Sequence, residues 1–504
     1  LIGNLGSDSM LKRTLVANRG EIACRILRAC REAGIEGVAI YAENDSGTLF
    51  TELADIAVQL EGEGLAETYL NQEQILQIAL DTGCDSIHPG FGFLSERADF
   101  AQAVMDSGLI WIGPSPEAIT KMGDKMTARI TMKEAGVPVI PGEEVTGGLE
   151  EVLQIAPSVG YPLLLKATAG GGGKGMRAVH KQEDLESEAR AAMREALNAF
   201  GDDRIYVERL LTGSRHIEIQ VLADKYGKTI HLGERECSIQ RRHQKVFEES
   251  PSVALDAELR EAMGEAACDA ARAVAYEGAG TVEFLVTPKG EFFFLEMNTR
   301  IQVEHPVTEM VTGVDLVREQ LRIAGGEAMS CGPLNMRGHA IEVRLYAEDP
   351  SNNFLPAIGV LKKFIAPTGP GVRLDTGVRE GDAVTPDYDP MLAKLIVWAP
   401  SREEALQRMG RALDEFVVLG CTTNVRFLRE LCTNPDVVDG WTTTDMIDRI
   451  WSDGWSPDQA GKISDAGLLI AAACESTNHG KIVNSSGGKS AIPSPFSTIN
   501  RRYP

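Results

Sequence analysis

Residues 163–179 read LLLKATAGGGGKGMRAV, a glycine-rich stretch whose flanking residues distinguish between different phosphate-binding folds. A glycine run that contains a lysine is typical of phosphate binding, because backbone N–H groups can approach phosphate closely where no side chain intervenes. One candidate motif is the P-loop. That pattern fails, since Lys174 is followed by Gly175 and not by serine or threonine.

The other candidate is the dinucleotide fingerprint G-x-G-x-x-G, which Gly170, Gly172 and Gly175 satisfy letter by letter. That fingerprint requires a strand before the glycines and a helix after them. A strand over 161–166 fits, but residues 176–180 (MRAVH) alternate apolar and polar, which is typical of a second strand. The stretch therefore predicts a β-hairpin with the glycines at its tip.

The composition is that of a soluble globular protein with an acidic surface. Of 504 residues, 43% are hydrophobic and 24% are charged, and 50 Lys+Arg against 73 Asp+Glu leave a formal net charge of −23. This length suffices for roughly three domains. So negative a surface disfavours nucleic acid and anionic membranes as partners, and any anionic substrate requires a local basic cluster.

The nine cysteines form no C-x-x-C pair and no zinc-type Cys/His spacing, which predicts reduced thiols in an intracellular protein. No apolar run approaches the ~18 residues of a membrane span, and no signal-peptide pattern begins the chain. We therefore expect a cytoplasmic protein, with an organelle matrix as the alternative, and neither a membrane nor a nucleic acid as a partner.

The chain opens with a βαβ pattern. Residues 12–17 predict a buried strand, a helical period begins at Glu21, and residues 37–41 predict a second, parallel strand. Glu43 and Asp45 follow that strand, where a ribose-binding acid would lie. Because the first turn lacks a glycine fingerprint, a surface loop is the favoured interpretation.

Further along, strand patterns dominate 205–298, two helical stretches flank the glycine hairpin, and 403–416 predicts an amphipathic helix. A short helix at 465–475 interrupts a Ser/Gly/Asn/Pro-rich tail. We predict five segments: an N-terminal domain at 10–125, a small lobe at 126–205, a core at 206–335, a C-terminal α+β domain at 336–455 and a loosely ordered tail at 456–504.

A second signal is TVEFLVTPKGEFFFLEMNTRIQVEH at 281–305. A Pro-Lys-Gly turn separates two aromatic-rich strands, and a symmetric hairpin would place Glu283 opposite Glu296. Asn298 and Arg300 share the face of Glu296 by alternation. Two carboxylates and an amide suit Mg²⁺, whose other ligands are phosphate oxygens and water. The alternative is a solvated face with ordinary acids, but opposed like charges need a cation between them.

Residues 237–245 (CSIQRRHQK) concentrate positive charge in an acidic protein. A solvated basic loop is the ordinary interpretation of such a short run. Beside an acidic Mg²⁺ site, however, it has the character that binding a polyphosphate and a second anion requires.

Taken together, these motifs resemble the ATP-grasp superfamily and, within it, the biotin carboxylases. The resemblance runs from Lys12 to Trp451 and rests, in this order, on ANRGEIACRI, SIHPGFGFLSE, KATAGGGGKGM, ERECSIQRRHQKV and EMNTRIQVEHPVTEMVTG. It implies an α/β and α+β architecture. An N-terminal parallel βαβ domain, an ATP-grasp domain whose glycine-rich lobe is a mobile lid over ATP, and a C-terminal biotin-carboxylase α+β domain would follow one another.

The resemblance also implies three sets of ligands. ATP would be bound by Lys125, Lys166, Gly171, Gly172, Glu208, Leu211, His216, Gln240, His243, Leu285 and Leu295. Mg²⁺, or Mn²⁺, would be held by Glu283, Glu296 and Asn298. Bicarbonate and biotin would be bound by Arg300, Gln302, Val303, Glu304 and Arg344, with Lys245 beside them.

The implied reaction is the ATP-dependent carboxylation of biotin N1 with bicarbonate through carboxyphosphate, the first half-reaction of an acyl-CoA carboxylase. Glu304 would deprotonate bicarbonate, and Arg300 with the Val303 backbone would hold the anion. Arg344 would stabilise the biotin enolate, and Lys245 would steady charge developing on phosphate. Because carboxyphosphate hydrolyses readily, a lid that excludes water fits this chemistry.

The expected partners follow from what the chain contains. It has no Met-Lys-Met biotinylation motif, so biotin is expected on a carrier protein or domain. We also expect a homo-oligomer or a larger carboxylase complex, and a carboxyltransferase subunit. The tail resembles the start of the region that leads to the carrier in propionyl- and methylcrotonyl-type enzymes. Phe91 and the segment FLPAIGVL depart from the family pattern without touching an assigned role.

Three alternatives stay open. The first is the biotin carboxylase part of a pyruvate carboxylase-type enzyme. The second is an ATP-grasp ligase that joins a carboxylate to an amine, which would not need TRIQVEH. The third is a catalytically silent scaffold or nucleotide-sensing subunit, which the presence of Lys245, Arg300 and Glu304 disfavours.

Overall fold

The computed structural model describes residues 11–145, 148–167, 176–200, 202–242, 244–332 and 334–457. The described chain up to Trp455 forms one compact unit, and a second unit begins at Ser456. The helix predicted at 465–475 lies outside the described residues. Within the described part, no helix is long and apolar enough to cross a bilayer.

The first segment is a parallel sheet wrapped by helices. Its elements are β1 (Arg13–Val16), α1 (Gly20–Ala33), β2 (Glu36–Tyr41), α2 (Leu49–Leu53), β3 (Ile56–Gln59), α3 (Gly64–Glu67), α4 (Gln72–Asp81), β4 (Ser86–His88), α5 (Ala98–Asp106), β5 (Ile110–Trp111) and α6 (Pro116–Gly123). The strand order is β3-β2-β1-β4-β5, and every pair is parallel. The predicted βαβ opening is confirmed.

The loop after β2 is only partly a surface loop. Glu43 is exposed, as predicted, but Asp45 is 2% exposed. Its carboxylate accepts hydrogen bonds from Arg19 at 2.6 Å and from the Tyr69 hydroxyl at 2.5 Å. The surface interpretation is wrong for Asp45, because these two donors satisfy the carboxylate inside the fold.

The second segment carries the glycine hairpin. It contains α7 (Lys125–Glu134), β6 (Gly142–Val145), α8 (Leu149–Val159), β7 (Leu163–Ala167), β8 (Met176–Val179), α9 (Leu185–Phe200) and β9 (Ile205–Arg209). β7 and β8 pair antiparallel, with Leu163 opposite Val179 and Lys166 opposite Met176, in a sheet of order β6-β9-β7-β8. The predicted hairpin is confirmed, and a strand rather than a helix follows the glycines. Residues 168–175 themselves lie outside the described chain.

The third segment provides most of a large antiparallel sheet. It contains β10 (Arg215–Ala223), β11 (Thr229–Arg241), β12 (Gln244–Ser250), α10 (Ala257–Ala273), β13 (Gly278–Val286), β14 (Phe292–Asn298), α11 (His305–Thr312) and α12 (Leu316–Ala324). β10, β11, β13 and β14 agree with the predicted strands, whereas β12, α10, α11 and α12 were not foreseen. The apolar residues of α10, including Met263 and Ala267, pack against Val282 and Phe284 on one face of the sheet, which leaves Thr281 and Glu283 on the other by alternation.

The fourth segment extends the same sheet. It contains β15 (His339–Tyr346), β16 (Glu348–Asp349), β17 (Leu355–Pro356), β18 (Gly359–Val360), β19 (Lys363–Ile365), β20 (Val372–Thr376), β21 (Ala383–Val384), β22 (Met391–Ala399), α13 (Arg402–Glu415), β23 (Val417–Leu419), α14 (Val425–Leu431), α15 (Pro435–Val438) and α16 (Met446–Ile450). The helix predicted at 403–416 is α13. The sheet order is β14-β13-β10-β11-β12-β15-β22-β20, so strands on both sides of the predicted division at 335–336 pair with each other. The division itself stays a prediction.

Candidate active site

A cavity of about 500 Å³ lies between the polar face of this sheet and the hairpin lobe. Most of the residues predicted to bind ligands line it: Lys125, Lys166, Glu208, His216, Gln240, Lys245, Glu283, Leu295, Glu296, Asn298, Arg300, Gln302, Val303, Glu304 and Arg344. Residues from distant parts of the sequence thus meet in one place. The cavity has a nucleotide end near the lobe and an anion end near 300–304.

A row of carboxylates crosses the floor of the cavity. Glu218 on β10 pairs with Glu283 on β13, which in turn pairs with Glu296 on β14, so the predicted opposition of the last two is confirmed. Like charges in adjacent strands repel each other and require a cation. The ammonium of Lys245 supplies it, at 2.6 Å from Glu218 and 3.0 Å from Glu283.

Lys245 also lies 2.6 Å from Glu304, so one ammonium joins three buried carboxylates. Burial alone would lower the pKa of Lys245, but the charges of Glu218, Glu283 and Glu304 raise it well above its ordinary value. The lysine is therefore a permanent positive charge at the centre of the site.

Glu296 completes a corner suited to a divalent cation. It is exposed to the cavity, and the charge of Glu283, followed by burial, raises its pKa. Asn298 donates to Glu283 at 2.8 Å and so lies beside the same carboxylate. Two carboxylates and an amide oxygen are ligands that suit Mg²⁺, and in this structure the Asn298 amide oxygen accepts a hydrogen bond from Arg300 at 2.8 Å.

The anion end is built around Glu304. Arg344 donates to Glu304 at 3.0 Å and to Glu248 at 2.6 Å. Burial would raise the pKa of Glu304, but Lys245, then Arg344, hold it well below its usual value, so this carboxylate is ionised. Arg300 donates to Asn298 at 2.8 Å and to Glu96 at 3.1 Å, and its side chain lines the cavity.

Arg235 supports the floor and was not singled out from the sequence. Its side chain is fully buried and donates to Glu218 at 2.5 Å and to Gln302 at 2.6 Å. Further bonds go to Gln220 and to the hydroxyls of Thr281 and Thr308. The sequence did contain a signal for Arg235, because the residue lies within the motif ERECSIQRRHQKV. In the structure this motif lies on and after β11, whose residues 232–241 are all buried.

The nucleotide end is polar on one side and apolar on the other. Lys166 forms an ion pair with Glu208, and His216 contacts Glu283 at 2.8 Å and Gln240 at 2.7 Å. Sequence reasoning missed several residues that line this region: Met126, Arg129, Ile140, Ala167, Met176, Tyr206, Gln244 and Phe294. Most of them contribute shape and apolar surface, which carries no phosphate or metal signal. Arg129 is a cation of a type that suits phosphate, but it lies in no motif singled out from the sequence.

Some predicted ligands are placed elsewhere. Leu211 and Leu285 are not among the residues that line the cavity, although Leu285 pairs with His216 across two strands at its edge. Gly171, Gly172 and His243 lie outside the described residues.

Of the basic segment 237–245, Lys245 alone among the described cations reaches the cavity. Arg241 pairs with Glu348 at 2.9 Å, and Arg242 donates to Asn353 at 2.8 Å, so both arginines bind the C-terminal segment instead.

Three family models match the chain. "Biotin carboxylase, N-terminal domain" covers residues 10–119, "Carbamoyl-phosphate synthase L chain, ATP binding domain" covers 124–331, and "Biotin carboxylase C-terminal domain" covers 342–449. Together they include every described segment that lines the cavity.

Curated relatives agree with these matches. Biotin carboxylase 1 of Bacillus subtilis (strain 168) is 50% identical over 443 residues, which are 87% of this chain and 98% of the relative. The mitochondrial propionyl-CoA carboxylase alpha chain of Homo sapiens is 46% identical over 480 residues, which are 94% of this chain and 66% of the relative.

Solved structures share the fold. A Campylobacter jejuni biotin carboxylase, described as a β-γ-ATP complex, has a TM-score of 0.84 at 43% identity and covers 88% of this chain and 100% of its own. The biotin carboxylase domain dimer of Hydrogenobacter thermophilus 2-oxoglutarate carboxylase was solved with MgADP, ADP and bicarbonate. It has a TM-score of 0.83 at 46% identity and covers 87% of this chain and 98% of its own. The chain belongs to the biotin carboxylase family and is a ligase that carboxylates biotin at the expense of ATP.

Proposed function

We propose that the cavity binds ATP at its lobe end and bicarbonate, then biotin, at its anion end, and that the chain is the biotin carboxylase part of an acyl-CoA carboxylase. The observation that carries the first half is the position of Lys245, which contacts both Glu283 of the metal corner and Glu304 of the anion end. The ammonium of Lys245 thus lies between the corner proposed to bind Mg²⁺ with the ATP phosphates and the end proposed to bind bicarbonate.

Each residue then has a role that follows from its geometry. Lys125 and Lys166 offer positive charge to phosphates at the lobe end, and His216 and Leu295 border the nucleotide pocket. Mg²⁺ bound by Glu283, Glu296 and Asn298 would neutralise phosphate charge.

The anion end supports the chemistry of bicarbonate. Glu304 is ionised and can accept a proton from bicarbonate, while Arg300, Gln302 and the Val303 backbone hold the anion. The deprotonated bicarbonate oxygen then attacks the γ-phosphorus of ATP, the bond from that phosphorus to the β-phosphate oxygen breaks, and ADP leaves as carboxyphosphate forms. Lys245 would stabilise the charge that develops on the transferred phosphate. Carboxyphosphate then breaks down to CO₂ and phosphate, the phosphate takes the proton from biotin N1, and N1 attacks CO₂. Arg344, whose guanidinium lines the cavity beside Glu304, would stabilise the biotin enolate in this step.

The choice of an acyl-CoA carboxylase rests on the extent of similarity. The propionyl-CoA carboxylase alpha chain of Homo sapiens and the methylcrotonoyl-CoA carboxylase alpha chain of Oryza sativa match 94% and 92% of this chain. A pyruvate carboxylase chain of Methanothermobacter thermautotrophicus matches 87% at 48% identity. The acyl-CoA relatives therefore match a larger share of this chain, and the pyruvate carboxylase assignment is the second candidate. A silent scaffold is disfavoured by the complete set of charged residues in the cavity.

The partners proposed are a biotinylated carrier protein or domain, a second copy of this chain and a carboxyltransferase subunit, in the cytoplasm or an organelle matrix. Co-purification from the native source with mass spectrometry would identify these partners. The purified complex should fix labelled bicarbonate onto an acyl-CoA and not onto pyruvate, whereas fixation onto pyruvate alone would refute the acyl-CoA assignment.

The residue roles are tested with the chain itself. ATP hydrolysis should depend on bicarbonate and rise with free biotin. Glu304→Gln should lose the bicarbonate-dependent rate, while Glu348→Gln, a buried acid paired with Arg241 away from the cavity, should keep it. Retention of the rate in Glu304→Gln would refute the assigned base.

A further inference from the structure

The turn formed by Gln302, Val303 and Glu304 is bound from behind by two side chains that do not line the cavity. The Nδ1 atom of His305 lies 2.7 Å from the carbonyl oxygen of Gln302. The ammonium of Lys394 donates to the carbonyl oxygen of Val303 at 2.7 Å. Both side chains are completely buried, and no role for either followed from the sequence.

The contact of His305 fixes a tautomer. A carbonyl oxygen only accepts hydrogen bonds, so Nδ1 must carry the proton. Burial lowers the pKa of His305 well below its usual value, and the nearby charge of Lys394 lowers it further, so the ring is neutral and holds its single proton there. Nε2 has no hydrogen-bond partner among the described residues, which agrees with this assignment.

This bond acts on the next residue through the peptide. In a planar trans peptide, the N–H of Val303 points opposite to the carbonyl of Gln302 and therefore away from His305. A donor on the carbonyl also polarises the peptide and strengthens its N–H as a donor. His305 thus both orients and strengthens the Val303 N–H.

Lys394 fixes the following peptide. Its ammonium on β22 lies 3.2 Å from Glu21 on α1 and 3.9 Å from Asp375 on β20. Burial would lower the pKa of Lys394, but the charges of Glu21, Glu342 and Asp375 raise it. A charged donor on the Val303 carbonyl holds the peptide that leads directly into Glu304. The N-terminal and C-terminal segments therefore meet at the back of this turn.

We propose that His305 and Lys394 are positioning residues that hold the turn of Gln302, Val303 and Glu304 so that the Val303 N–H and the Glu304 carboxylate face one bicarbonate ion. This inference rests on the proposed function, because it takes the turn as the bicarbonate site. Neither residue touches the substrate; each acts through a main-chain carbonyl. The predicted consequence is specific to bicarbonate and leaves ATP binding nearly unchanged.

The test compares side chains that keep or lose the donor. His305→Asn retains an N–H close to the position of Nδ1, whereas His305→Leu removes it. We expect His305→Leu to raise the KM for bicarbonate about tenfold, as loss of one oriented hydrogen bond implies, with the KM for ATP within about twofold, and His305→Asn to recover most of the loss. Lys394→Met should raise the KM for bicarbonate, and Lys394→Arg should raise it less. These two variants test the proposal even if a His305 variant fails to fold.

A matched control separates positioning from general stability. His339 is another buried histidine, 2.7 Å from Glu249, and it lines no part of the cavity. His339→Leu should lower the Tm without changing the KM for bicarbonate. If His305→Leu and Lys394→Met likewise lower the Tm and leave this KM unchanged, the inference is overturned.

The Glu304→Gln variant distinguishes this failure from failure of the proposed function. Loss of bicarbonate-dependent turnover in Glu304→Gln with an unchanged KM in the His305 and Lys394 variants overturns only the positioning roles. Persistence of that turnover in Glu304→Gln overturns the bicarbonate site and the positioning roles together.

Discussion

Replacing Arg235 with methionine tests whether the cavity floor depends on buried charge pairing. The guanidinium is fully buried and donates to Glu218 at 2.5 Å and to Gln302 at 2.6 Å. Methionine has a similar length but no donor, so Glu218 would keep only Lys245 as a counter-ion. Breaking a buried pair by removing one partner costs about 3–5 kcal/mol, and we expect Arg235→Met to lower the free energy of unfolding by that amount.

The assay is urea unfolding followed by tryptophan fluorescence, together with steady-state kinetics. Arg190→Met is the matched control, because Arg190 is 56% exposed on its side chain and forms an i,i+4 pair with Glu186 that contributes only about 0.3–0.5 kcal/mol. Arg235→Met should also raise the KM for bicarbonate, since Gln302 loses its donor. Equal stabilities of the two variants would refute the reasoning that the carboxylate row depends on this arginine.

Three further predictions concern catalysis, metal and pH. Glu304→Gln should lower bicarbonate-dependent turnover by at least about 100-fold with nearly unchanged MgATP binding, measured by calorimetry; equal loss of ATP binding would place Glu304 in the nucleotide site instead. Chelation of divalent cations should stop ATP turnover, and Glu296→Gln should raise the Mg²⁺ concentration needed for half-maximal rate; an unchanged Mg²⁺ dependence would contradict the metal corner. Burial lowers the pKa of His88 to about 3, below its unfolded value of about 6.5, so its contribution to stability is complete above the unfolded pKa and is lost as pH falls toward the folded one. From about pH 8 to pH 5 this loss is about 2 kcal/mol, and His88→Asn should unfold with a shallower acid dependence in a urea series; identical slopes would show that His88 is not buried in its neutral form.

Local sequence patterns, namely apolar/polar alternation and turn residues, predicted much of the fold correctly. The alternation of residues 176–180 indicated a strand, and β8 is that strand. The alternation and the Pro-Lys-Gly turn in 281–305 placed Glu283 opposite Glu296, and the register confirms it. These predictions succeeded because both depend on residues close in sequence. Helix α10 was missed because its buried face consists mostly of small residues, with Met263 as the one large side chain among its fully buried residues, so the apolar period is weak.

Motifs and local periodicity are properties of neighbouring residues, so the family, the hairpin in place of a dinucleotide fold and the residue types that the chemistry needs could all be inferred from the order of residues. Which charges share a site depends on how distant strands pair, and this became visible in the folded chain. The side chains of Arg241 and Arg242 bind residues of the C-terminal segment and not the cavity. Lys245, from the same basic segment, contacts carboxylates from three other stretches of the chain. The buried supports Arg235, His305 and Lys394 also became apparent only there. Sheet pairing over long sequence separations brings these groups within hydrogen-bonding distance, and no local pattern encodes such distances.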